Sequence, residues 1–151
     1  MVITGSGVID FGTISSTAYS TGTVDIEVGT NAVNGASVTA RSTNGGLQNT
    51  SSTGTILNDD ALADEVADSY RFTSALDAAD DSSYASFVQT AALATEVNDN
   101  STNHVLYSSN KPQSLSVGTD DFLFSVSTKP NAQSPAGDYV DTVVVTVTGN
   151  F

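Results

Sequence analysis

The feature that most constrains this chain is a two-residue apolar alternation that returns along its length. The clearest case lies in residues 134–148. Pro135 and Gly137 signal a turn. Asp141, Val143, Val145 and Val147 then share one face of a strand, with Val140, Thr142, Val144, Thr146 and Thr148 on the other. Three same-face valines suit a packed core, and threonines suit a wetter face. Further examples are residues 22–29, with Val24, Ile26 and Val28 inward and Thr23, Asp25 and Glu27 outward, and residues 37–42, with Val38 and Ala40 inward. Tyr70 pairs with Phe72, and Val105 with Tyr107, on shared faces of short strands. In residues 121–128, Phe122, Phe124 and Val126 point inward against Leu123, Ser125 and Ser127.

The connections complete a coarse topology. Asn34-Gly35 is a hairpin signal, so strands 22–29 and 37–42 are expected to pair. Residues 42–55 are a Ser/Thr/Asn/Gly stretch read as a loop or loose hairpin, followed by a short strand at Ile56-Leu57. Residues 60–68 are the best helical stretch, capped by Asp59 or Asp60. Residues 84–93 fit a helix through Tyr84, Phe87 and Val88 or a strand through Ala85, Phe87 and Gln89; the β context favours the strand. The last two strands are expected to form a hairpin with a long loop. The sum is an all-β, antiparallel sandwich of seven to nine strands, with a barrel as the second choice.

With 151 residues the chain makes one domain with a core of its own. It has no cysteine, which excludes disulfides and thiolate metal sites. Its net charge is −13, with seventeen acids against Arg41, Arg71, Lys111 and Lys129. That leaves no basic footprint for nucleic acid and disfavours anionic membrane surfaces. No stretch approaches the ~18 apolar residues of a membrane span. Small polar and β-branched residues dominate the surface composition, as in extracellular β proteins. With no signal peptide in view, the chain is expected to be the mature form of an exported protein.

Catalytic chemistry is not in view. His104 is alone and is read as a surface or edge histidine. No serine sits in a Gly-x-Ser-x-Gly elbow, and no glycine loop with a lysine cradles phosphate. The acid pairs Asp59-Asp60, Asp80-Asp81 and Asp120-Asp121 are adjacent, whereas a glycosidase needs carboxyls across a cleft. Calcium is the one cofactor weighed. Asn58-Asp59-Asp60 and Asn98-Asp99-Asn100 offer oxygen ligands but lack the twelve-residue loop pattern, and they are read as solvated turns. Asn49-Thr50-Ser51 and Asn100-Ser101-Thr102 match the glycosylation triplet, at near-chance frequency in so polar a chain.

Two segments together carry a resemblance. Phe11-Gly12-Thr13 and Pro135-Ala136-Gly137-Asp138-Tyr139-Val140-Asp141-Thr142-Val143 resemble the "FGT" and "PAGxYxDTVxVTV" signatures of the spore coat protein U-like family, a relative of the archaic chaperone–usher pilins. Residues 30–39 also look like a segment of such surface proteins. The resemblance covers about a quarter of the chain, at both ends; residues 42–120 match no pattern of that family, and its common cysteines are missing. It implies an immunoglobulin-like pilin sandwich that is exported, non-catalytic and completed by a strand from another copy. On that reading residues 1–10 are a donor extension and residues 11–151 the domain. The donor face is Ile3, Gly5, Gly7, Ile9 and Phe11. The acceptor groove is lined by Val24, Ile26, Val28, Phe122, Phe124, Val126, Val143, Val145 and Val147. Partners would be further copies of the chain and a secretion chaperone. A frayed first strand is the plainer reading of residues 1–11. A monomeric secreted adhesin or ligand-binding module, with or without calcium, is the alternative function.

Overall fold

The computed structural model describes residues 2–4, 7–56, 68–76, 95–97, 99–112 and 121–151. Every regular element among them is a β-strand: β1 (Val2–Thr4), β2 (Ser20–Glu27), β3 (Ala36–Ser42), β4 (Leu47–Asn49), β5 (Thr55–Ile56), β6 (Ser69–Leu76), β7 (Thr95–Glu96), β8 (His104–Ser108), β9 (Asp121–Lys129), β10 (Tyr139–Val140) and β11 (Val143–Gly149). The expected helical stretch in residues 60–68 lies outside the described residues but for Asp68, and the strand at 84–93 lies outside them entirely.

All ladders are antiparallel. One sheet has the order β1-β2-β9-β6-β7, a second β11-β3-β8, and a third, small one β10-β4-β5. The strand count exceeds the expected seven to nine because β1, β4, β5, β7 and β10 are pieces of two or three residues.

The inner faces of the first two sheets share one apolar cluster, which makes the architecture sandwich-like. Val38 and Ala40 of β3, Tyr70 and Phe72 of β6, and Phe122, Phe124 and Val126 of β9 are buried, as their alternation requires. Rings bind the layers together. Phe72 meets the His104 ring edge-on across the interior at 5.7 Å, and Tyr107 of β8 stacks on Phe122 of β9 at 5.2 Å.

Two expected hairpins are absent. β2 pairs with β1 and β9, while β3 pairs with β11 and β8. The chain between them crosses from one layer to the other. A two-residue type I′ turn at Asn34-Gly35 needs positive φ at both positions, and only Gly35 has it, at 78°. That turn is tied instead to the chain end: Asn34 N–H donates to the Asn150 carbonyl (2.9 Å), and Asn150 N–H to the Gly35 carbonyl (2.8 Å). β9 and β11 likewise lie in different sheets, because residues 130–142 cross layers too.

Three side chains also depart from simple alternation. In β8, Val105 is exposed while Tyr107 is buried. The register jumps from Val38↔Tyr107 to Thr39↔Val105, so Leu106 is a bulge residue that separates their faces. Glu27, read as outward, is buried: β1 and β9 flank it on both sides, and the chain turns inward there to cross layers. His104 is on an edge strand but is buried rather than superficial.

Candidate functional site

Among the described residues, the two principal sheets each leave an edge open on the same side. β2 has β1 beside Asp25–Glu27, but no described strand is paired to its Ser20–Val24 stretch on that side. β11 pairs with β3 along its whole length and has no described strand on its other side. Between these edges lies a groove of about 930 Å³. Val24, Ile26, Phe124 and Val126 line it from one sheet, and Val143 and Val145 from the other. These are six of the nine acceptor residues named from sequence; Val28, Phe122 and Val147 pack in or against the core without lining the groove.

The N-terminal segment runs over this groove. Gly7, Ile9 and Phe11 line it, as does Ile14, which lies beyond the expected donor face. Ile9, Phe11 and Ile14 are half-buried and packed on the core. Ile3 pairs in register with Ile26 at the far end of β2, and Gly5 lies outside the described residues. The expected single face through Ile3, Gly7 and Phe11 is interrupted: Gly7 has φ 62° and Gly12 φ 57°, so the chain bends where an extended strand would continue. The Asp10 carboxylate accepts the Gly12 N–H (2.8 Å) and holds the second bend.

The "PAGDY" turn closes one end of the groove. Tyr139 Oη donates to the Pro135 carbonyl four residues back (2.6 Å), which fixes the turn before β11. Tyr70 Oη donates to Asp141 Oδ2 (2.9 Å), and the other carboxylate oxygen accepts the Asn44 N–H (3.3 Å). One carboxylate thus ties the base of β11 to β6 of the first sheet and to the turn after β3. Burial, and after it the Asp141 charge and hydrogen bond, push the Tyr70 hydroxyl well above the usual tyrosine range. It stays neutral at any ordinary pH and keeps donating.

Two of the residues named for other chemistry, Asp99 and Asn49, are engaged in turns. Asp99 caps its own turn: its oxygens accept from Ser101 N–H and Oγ and from Thr102 N–H and Oγ1. The Thr102 hydroxyl and these other donors hold its carboxyl well below the usual carboxylate range. Asn49 is buried and uses its amide on Ser51 N–H and the Ala136 carbonyl, so its triplet is not presented for glycosylation. Asn58, Asp59, Asp60 and Asn98 lie outside the described residues, as do Asp80, Asp81 and Asp120. Among the described residues no three acidic or histidine side chains gather to hold a metal. No described helix is long and apolar enough to cross a membrane. Arg71 stacks over the Tyr19 ring at 3.9 Å on the outer sheet face, with the Lys129 ammonium 5.7 Å away.

Burial of His104 lowers its pKa below the usual value of 6.5, against a weaker upward pull from Asp99. The folded state therefore holds it neutral, while the unfolded chain takes up a proton below about pH 6.5. Stability should fall as pH drops from 6.5 until the folded-state pKa is reached. It is the only histidine in the chain. His104→Gln should flatten the fall in urea midpoint between about pH 7.5 and 5.5; an undiminished fall would show that another group carries it.

No family model matches the sequence, and neither curated proteins nor solved structures give a match.

Proposed function

We propose that this chain is a structural subunit of an extracellular filament or surface layer, assembled head to tail by strand exchange between copies. The observation that carries the reading is the seam: two open sheet edges facing each other across an apolar groove. An open edge leaves N–H and C=O groups unpaired and templates the addition of a strand. A donated strand would satisfy that backbone and fill the groove with its side chains. Such a contact is heterologous and does not close, so it propagates.

The strand order supports an immunoglobulin-like assignment with one strand missing. In that fold, strands A-B-E-D form one sheet and C-F-G the other. Here β1-β2-β9-β6 fits A-B-E-D in chain order, and β3-β11 fits C-F. The strand that would follow, G, belongs beside β11, at the open edge. The Tyr139 bond to a carbonyl four residues back, just before the F position, has the form of the tyrosine corner of such sandwiches. Exported placement and a secretion chaperone are part of the same proposal, through the resemblance of both ends to pilin-like surface proteins.

The test is assembly. Purified chain should form polymers visible by negative-stain microscopy and by light scattering as concentration rises. Removal of residues 1–9 should abolish them. Monomers at every concentration, together with a deletion that changes nothing, would instead favour the monomeric binding module.

A further inference from the structure

The groove of the free subunit is walled on one side by residues 7–14 of the same chain, and how they sit there says how it is opened. No ladder joins residues 9–14 to the described strands β2 or β11, and the side chains of Ile9, Phe11 and Ile14 pack on the core. Its tightest point is Ile9 over Gly22. A Cβ at Gly22 would stand 3.4 Å from the Ile9 Cβ and would overlap its Cγ2, so the seat exists only because residue 22 has no side chain. Gly7 and Gly12, at positive φ, bend the segment on either side of Ile9 and Phe11. Nothing lies within 4 Å of a Cβ built at either glycine, so backbone conformation, not crowding, is what each supplies. Glycine takes negative φ as readily, and both bends can straighten without steric cost.

We infer that Ile9 on Gly22 is a self-closing latch, and that its replacement during assembly is Ile9 of a second copy. This rests on the strand-exchange reading above. The occupant is the same segment because its side chains already fit the seat. Once straightened, it also pairs with the outer edge of β11, which carries no described strand in the bent form. Exchange thus keeps the apolar contacts and adds ladder hydrogen bonds. Hinged exchange of an identical element is domain swapping, here in an open-ended form.

The chain's lack of cysteine makes the contact trappable. The 3.4 Å separation falls just short of the roughly 3.5–4.5 Å Cβ spacing of disulfides, a gap that a small shift of the segment closes. In the double variant Ile9→Cys with Gly22→Cys, oxidation of monomers should give an intramolecular bridge and at least a tenfold loss of assembly, restored by reductant. Oxidation after assembly should give a ladder of covalent multimers on denaturing gels. Oxidised monomers that assemble as fast as reduced ones, or assembled material that yields only intramolecular bridges, would overturn the latch. Should the reduced variant assemble poorly, Gly7→Ala with Gly12→Ala decides independently. Alanine is disfavoured at positive φ, so weakening the bent form should speed assembly roughly fivefold or more; an unchanged or slower onset overturns the proposal. Wild-type chain that never assembles sinks the filament reading itself, a separate outcome.

Discussion

Replacing Phe72 with alanine is expected to destabilise the domain by about 3–5 kcal/mol, the range for removing a large buried ring. The side chain is fully buried. Its ring meets Tyr70 at 5.6 Å, Phe124 at 5.3 Å and His104 at 5.7 Å, all edge-on. The first two lie on its own sheet and His104 on the facing one, so the ring spans the interlayer contact. The loss is the transfer free energy of the ring plus the cavity left when two braced sheets cannot collapse into it. Against a typical stability of about 5–15 kcal/mol, it would take much of the margin. Urea unfolding should show a lower midpoint at near-constant slope. Val105→Ala, on the exposed outer face of β8, should stay within about 0.5 kcal/mol of wild type. A comparably small loss for Phe72→Ala would mean that the layers do not meet there.

Val145→Asp is expected to remove assembly while leaving a folded monomer. Val145 lies on the inner face of β11 and lines the groove. In the free subunit it is half-buried, so a carboxylate there keeps contact with water. A strand paired along β11 would close that access and leave an unpartnered charge, at a cost of about 3–5 kcal/mol. That is a loss of at least about a hundredfold in the association constant. Val144→Asp, one residue away on the exposed face, should assemble as wild type. Equal assembly by both variants would move the contact away from this face. Circular dichroism and urea unfolding would show whether the Val145→Asp variant keeps its fold.

Most of the long strands were legible because their burial pattern has one period. Val38 with Ala40, Tyr70 with Phe72, and Phe122 with Phe124 and Val126 all face the core as their spacing requires. The same logic failed where the backbone adds or turns a residue. The Leu106 bulge separates Val105 from Tyr107, and the layer crossing after β2 buries Glu27 beside Ile26. Neither event leaves a mark in hydropathy. Six of the nine residues named for the groove do line it for the same reason, since inward faces at open edges line whatever lies between the sheets. Gly22 was not legible, because a missing side chain signals space only once Ile9 is seen to fill it.

What this sequence determined by itself was the class of structure and which face of each long strand turns inward, because side-chain direction along a strand is set locally. Its charge and missing cysteines likewise bounded the chemistry. Pairing was decided only in three dimensions. Asn34-Gly35 reads as a hairpin, yet the chain crosses layers there, and β11 joins β3 rather than β9. Those choices depend on how two whole sheets bury their faces against each other. The same packing brings the open edges of β2 and β11 to one side, with Ile9 between them.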